Sequence, residues 1–233
     1  MNGKGINDHW LYEAAVYGND QVREFSNFDG GAIMFGKIGY DYSAESHLDS
    51  AIATFRYMHN TAPGFKSAEI DSNYSAPTSP SFGDSIALTN DIIQGRFGLT
   101  TDLLYGFGFE GKADQAGASK LVKQSDVFGI NIIPSYFIAD GLQLVTRFQF
   151  ATSDDNNGFK GIPLQGRYEQ YSPTFKGKID TKRTGDTYAS VYAGLNYYLY
   201  GHKLKIMNGV EYSHLGGGDY DGYTFLSGLR MSF

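Results

Sequence analysis

Apolar and polar residues alternate through most of this chain, in segments of about ten residues, and a period of two is the signature of a β-strand with two unlike faces. The last segment is the clearest. Tyr223, Phe225, Leu229, Met231 and Phe233 fall on one face, and Thr224, Gly228, Arg230 and Ser232 fall on the other. In KLKIMNGVEYSHL, Leu204, Ile206, Val210 and Tyr212 oppose Lys203, Lys205, Glu211 and Ser213, with Asn208 interrupting the apolar face. TYASVYAGLNYYLY sets Ala189, Val191, Ala193, Leu195, Tyr197 and Leu199 against Ser190, Gly194 and Asn196. LQLVTRFQF sets Leu142, Leu144, Phe148 and Phe150 against Gln143, Arg147 and Gln149. RFGLTTDLLYGFGFEG sets Phe97, Leu99, Leu103, Tyr105, Phe107 and Phe109 against Arg96, Asp102 and Glu110. Five further strands are expected near residues 9–18, 31–42, 49–59, 84–93 and 126–138, the last containing Pro134, which cannot donate to a ladder.

The connections between these segments sort by length. Ala44–His47, Gln94–Gly95, Ala139–Gly141 and Gly201–His202 are short, whereas Asn19–Gly30, Thr61–Gly83, Gly111–Gln124, Ser153–Gly185 and Gly216–Tyr220 are mostly longer. Short and long alternate, so all the short connections lie at one end of the strands. Outer-membrane barrels have this asymmetry, with short periplasmic turns and long extracellular loops. A soluble sandwich or lipocalin-like barrel explains the alternation, but gives no reason for the sorting.

Composition narrows the choice. The chain has 17 Phe and 18 Tyr but no Cys, which excludes a disulfide scaffold or a thiolate metal site. Mean hydropathy is only -0.33 and no apolar run reaches a helical span of roughly 18 residues. A membrane barrel reconciles the aromatic load with that low average, because lumen-facing polar residues dilute the lipid-facing ones. The net charge of -6 argues against a nucleic-acid partner. The expected fold is therefore all-β: an antiparallel transmembrane β-barrel of about ten strands in a single domain, 1–233, of the bacterial outer membrane. The opening MNGKGINDHW has no apolar core of a secretory signal, so the expectation is a chain lacking the N-terminal strands of a longer protein.

Candidate chemistry belongs to the face opposite the aromatics. The basic residues assigned there are Lys37, Arg56, Arg96, Arg147, Lys203, Lys205 and Arg230; the acids are Glu13, Asp41, Asp91, Asp102, Glu110 and Glu211. A ring of one sign sets the selectivity of a pore, and here the signs nearly balance. This suits a general channel, or charges that simply pair across strands. His214, followed by Asp219 and Asp221, opens an alternative of an outer-membrane enzyme of the protease type; a structural or adhesive barrel is a third class. No metal-ligand spacing, phosphate loop or cofactor motif occurs, and the mixed charge of Ser153–Gly185 reads as a solvated loop.

The ending LSGLRMSF resembles the terminal strand of bacterial outer-membrane proteins, in which a final aromatic signals to the barrel-insertion machinery; Phe233, Met231 and Leu229 would carry that signal here. More narrowly, the chain resembles the phosphate-selective porin O and P family. The matching stretches are WLYEAAVYGND with FDGGAIMFGKIGYD, RFGLTTDLLYGFGFEG, and TYASVYAGLNYYLYGHKLKIMNGVEYSH with the closing strand. The resemblance implies a porin passing small hydrophilic solutes or ions, phosphate among the anions, and not an enzyme. It also implies trimers, contact with lipid and lipopolysaccharide, and walls of about sixteen strands. Taken alone, ten strands should close by pairing Asp8–Gly18 with Tyr223–Phe233, with Arg147 and Arg230 pointing inward.

Overall fold

The computed structural model describes residues 2–4, 9–18, 31–61, 82–108, 125–154, 159–160, 184–201, 203–217 and 220–231. The strands are β1 (Asn2–Lys4), β2 (Trp10–Gly18), β3 (Ala32–Asp41), β4 (Ser50–Asn60), β5 (Asp84–Gln94), β6 (Phe97–Phe107), β7 (Val127–Ala139), β8 (Leu142–Ser153), β9 (Phe159–Lys160), β10 (Thr184–Gly185), β11 (Thr187–Tyr200), β12 (Leu204–Gly216) and β13 (Tyr220–Met231). One helical turn, α1 (Ser43–Ser46), joins β3 to β4. All ten segments expected from the alternation are long strands, β2 to β8 and β11 to β13.

Together with β1 they form one antiparallel meander in chain order, β1-β2-β3-β4-β5-β6-β7-β8-β11-β12-β13, while β9 and β10 pair separately on the excursion after β8. The short connections, residues 42–49, 95–96, 140–141 and 201–203, all lie at one end of the sheet. Glycines make the tight turns possible. Gly95, Gly141 and Gly201 have φ of 57°, 74° and 50°, a left-handed conformation that a Cβ makes costly. In the wider connection, Asp41 accepts hydrogen bonds from the backbone N–H (3.0 Å) and hydroxyl (2.5 Å) of Ser43. The Tyr40 hydroxyl donates to Glu45 at 2.8 Å and is the main reason the Glu45 carboxyl sits below its usual pKa.

Pro134 is accommodated by a local gap. Its register with β6 is intact, Leu99 opposite Pro134, whereas neither Ile133 nor Pro134 has a partner on β8. The missing donor thus falls on one side of the strand only.

The expected closure is not found. Among the described residues β13 pairs only with β12, and β2 does not meet it. Instead β1 lies along β2, with Asn2, Gly3 and Lys4 opposite Glu13, Tyr12 and Leu11. Backbone groups of β2 that a closing strand would need are therefore already taken. Asp8 and Phe233, at the far ends of the two expected partners, lie outside the described residues.

The two faces of the sheet differ in burial. On central strands Phe148 and Val191 are 47% and 48% exposed, whereas Thr89 and Ser190 on the opposite face are 4% and 3% exposed. A flat sheet would expose both faces alike, so the sheet curls around its polar face. Among the described residues only Ala51 and Leu215 are buried hydrophobics, while Thr54, Asn60, Thr89, Ser125, Ser190, Glu211 and Ser213 are buried polar ones.

Turn geometry yields a testable contrast. A Cβ at Gly141 would meet the Tyr198 carbonyl oxygen at 3.0 Å, whereas at Gly95 nothing lies within 4 Å. Gly141→Ala is expected to destabilise the fold by about 1–2 kcal/mol, and Gly95→Asn to be nearly neutral because Asn tolerates the left-handed region; urea unfolding midpoints measure both.

Candidate functional site: the polar concave face

Register across the sheet assembles this face from single residues far apart in sequence. One row runs Thr54, Thr89, Asp102, Asn131, Gln149, Ser190, Ser213, each the cross-strand neighbour of the next. It contains no apolar side chain. Its hydrogen bonds run along it. Arg56 donates to the Thr89 hydroxyl at 2.5 Å, Thr89 donates to Asp102 at 2.7 Å, and the Asn131 amide donates to the other Asp102 oxygen at 2.9 Å. Ser190 donates to Gln149 at 3.1 Å and Ser213 to Glu211 at 3.1 Å.

Among the described residues two ion pairs lie on this face. Lys37 and Glu13 are 2.7 Å apart. Arg147 reaches across β11 from β8 to form an ion pair with Glu211 on β12. That carboxylate is 7% exposed, so the guanidinium is its necessary counter-charge. The Arg147 guanidinium also lies over the Tyr192 ring, 5.5 Å from its centroid, in cation–π range. Near the short-turn end, Lys205 lies 5.5 Å from the Tyr198 ring centroid. Tyr198 in turn donates to Gln143 at 2.7 Å.

Tyr192 is bulky and on the concave side, and glycines make room for it along the wall. A Cβ on Gly194 would come within 2.0 Å of the Tyr192 hydroxyl oxygen, and one on Gly209 within 2.4 Å of its ring carbons. Gly194 and Gly209 are cross-strand partners, so together they form the floor on which the ring rests.

Of the residues assigned from sequence, Lys37, Arg56, Asp102, Arg147, Lys205, Glu211 and Arg230 occupy register positions of the concave face, with Glu13, Asp41 and Asp91. Arg147 and Arg230 are thus on the side opposite Phe148 and Leu229. Arg96 and Lys203 are not on a strand face. Arg96 sits in the 95–96 turn, paired with the fully exposed Asp140 at 3.3 Å, and Lys203 is an exposed turn residue. Glu110 and Phe233 lie outside the described residues; Met231 and Leu229 are exposed on the convex face of β13.

The convex face is zoned. Several of its aromatics lie near strand ends, Trp10, Tyr40, Tyr136 and Tyr197 at the short-turn end and Tyr57 and Tyr105 at the other, while Tyr212 and Tyr223 share a register row with Phe148 and Val191. Phe55, Leu88 and Leu103 lie between. Toward the long-connection end the hydroxyls are tied to aspartates, Tyr57 to Asp84 (2.5 Å), Tyr105 to Asp126 (2.6 Å) and Tyr212 to Asp221 (2.8 Å). His59 and His214 approach the same Asp84 and Asp221 at 2.8 and 2.7 Å. The histidine–aspartate contact that an enzyme reading needs therefore exists at His214, but outside the concave face and repeated at His59 as a second rim tie. Asn208, which broke the apolar pattern, is satisfied there by the Ser227 hydroxyl at 2.7 Å.

Comparison with known proteins gives no match, either to a family model or to a curated relative.

Two pairs of substitutions test the assembly. Arg147→Met strands a buried carboxylate and is expected to cost about 3–5 kcal/mol; Glu211→Gln strands only a partly exposed guanidinium and should cost less. For the glycine floor, overpacking costs typically about 1–3 kcal/mol. Gly194→Ala should be the worse of the two alanine variants, since its Cβ also meets the Asn208 carbonyl oxygen at 2.7 Å. Equal unfolding midpoints within either pair would contradict the geometry.

Proposed function

We propose that this chain forms wall of an outer-membrane porin, a β-barrel whose water-filled interior passes small hydrophilic solutes or ions by passive diffusion. The observation that carries the reading is the inversion of the sheet: apolar side chains exposed on the convex face, polar ones enclosed on the concave face. A water-soluble β-barrel does the reverse. In lipid the convex face is the favourable one, and the concave face supplies a hydrated lining.

Three further features support it. Trp and Tyr near both strand ends suit the two membrane interfaces, where amphipathic rings settle. Connections short at one end and long at the other suit periplasmic turns and extracellular loops. Tyr192 folded onto glycine keeps a bulky ring out of the interior. The charges lining the concave face, Lys37, Arg56, Arg147, Lys205 and Arg230 against Glu13, Asp102 and Glu211, suit a channel of weak charge preference; a preference for phosphate or other anions rests on the family resemblance alone, as does a trimer. Closure of the wall is part of the proposal, because unpaired strand edges are not tolerated in hydrocarbon.

The lipid-facing assignment is tested by placing arginine at matched valines. Val191→Arg, on the convex face, is expected to destabilise the vesicle-inserted protein by about 2–4 kcal/mol, while Val145→Arg, on the concave face, costs far less. The reverse order would sink the membrane reading. Unit conductance steps in a planar bilayer distinguish a porin from an enzyme or adhesin on a plugged barrel, neither of which gives stable steps.

A further inference from the structure

The concave face is not polar throughout. One register row runs Lys37, Arg56, Ala87, Leu104, Gly129, Ala151 across β3 to β8. Beside Arg56 it turns abruptly to small and apolar residues, one step from the fully polar row through Thr89 and Asp102. Ala87, Gly129 and Ala151 form a shallow floor, and Phe35, Met58 and Phe82 stand around it. Phe82 is seated over Gly106, where a Cβ would come within 2.7 Å of its ring. Leu104 is 45% exposed although it faces the enclosed side. The result is an apolar hollow inside a hydrophilic interior, with a guanidinium at its margin.

Arg56 is held but not neutralised by direct contact. Its bond is to the Thr89 hydroxyl at 2.5 Å, and among the described residues no carboxylate forms an ion pair with it. Asp102 is one hydroxyl further on, its two oxygens engaged by Thr89 and Asn131. Lys37, the cross-strand neighbour of Arg56, is taken by Glu13 at 2.7 Å. Like charges opposite one another are unfavourable, so an anion at Arg56 would relieve the pair. The guanidinium offers five N–H donors in a planar fork that matches a carboxylate.

We propose that this hollow is a binding site for small amphipathic carboxylates, the carboxylate on Arg56 and the hydrocarbon or aromatic body on the Ala87–Gly129–Ala151 floor. The proposal rests on the water-filled interior argued above and gives that interior a solute preference: a charged head alone gains Arg56 without the floor, and a neutral ring gains the floor without Arg56. Together they give an affinity that neither part has.

The probe is benzoate, compared with acetate (the charge without the ring) and benzyl alcohol (the ring without the charge), titrated calorimetrically into the full chain refolded in detergent. Benzoate is expected to bind saturably and the two controls not to. Arg56→Gln abolishes benzoate binding. Gly129→Leu abolishes it too while keeping Arg56: the three atoms nearest to a Cβ there are Leu104 and Ala151 side-chain carbons at 3.7 to 3.8 Å, ordinary van der Waals contact, so the larger side chain enters and fills the hollow. Circular dichroism checks that each variant keeps its sheet. If acetate binds as well as benzoate and Gly129→Leu changes nothing, Arg56 is a bare cation and the proposal falls. It falls equally if benzoate binding survives Arg56→Gln, or if the unaltered protein shows no saturable benzoate binding. Binding in micelles does not require conduction, so a protein that binds benzoate but gives no bilayer steps overturns the channel reading and leaves the site standing.

Discussion

The antiparallel ladder is the interaction on which everything else rests. Each long strand is held in register with the next, from Trp10 opposite Tyr40 on β2 and β3 to Leu204 opposite Met231 on β12 and β13, with a local gap where Ile133 and Pro134 face β8. Because side chains alternate along every strand and register couples neighbours, one choice of face on β2 dictates the face of every residue through β13. A slip of one residue anywhere would put phenylalanines among the hydroxyls of the Thr89–Ser190 row. The long uniform pattern in the sequence is thus what keeps ten strands in phase.

That phase also explains how charge is handled without a hydrophobic core. Cross-strand neighbours place a partner within reach of most concave-face charges, so Glu211 can be nearly enclosed at 7% exposure because Arg147 crosses β11 to meet it. Tyr192 lies between them in register and would obstruct that crossing if it stood upright. Its position flat on Gly194 and Gly209 lets the guanidinium pass over the ring. Glycine, ring and ion pair form one interlocking unit.

Much of the fold was legible in the sequence, for a physical reason. Period-two alternation and Gly-rich breaks are local, and they located all ten long strands and the sorting of connections. Alternation also separated Arg147 from Phe148 correctly, but it could not say which face was enclosed; the burial contrast between Thr89 and Phe148 supplies that. It failed at Arg96 and Lys203 because counting by twos ran on into tight turns, where the chain leaves the pleat. It could not find the Gly194–Gly209 floor or the hollow beside Arg56, which depend on register between residues distant in sequence. The Arg147–Glu211 pair spans 64 positions. Closure failed as an expectation because β1 is three residues long, too short to leave a pattern.

That short strand has a consequence for symmetry. Directions alternate across an antiparallel sheet, so with β1 in place the first and eleventh strands, β1 and β13, point the same way. Two such borders can never be zipped together in the alternating sense of the rest of the wall. A full circle in which every strand alternates has an even number, so a wholly antiparallel cylinder is completed in one of two ways: β1 peels away, leaving ten, or an odd number of strands fits between β13 and β1. Three residues of backbone thereby fix the arithmetic of the whole circumference.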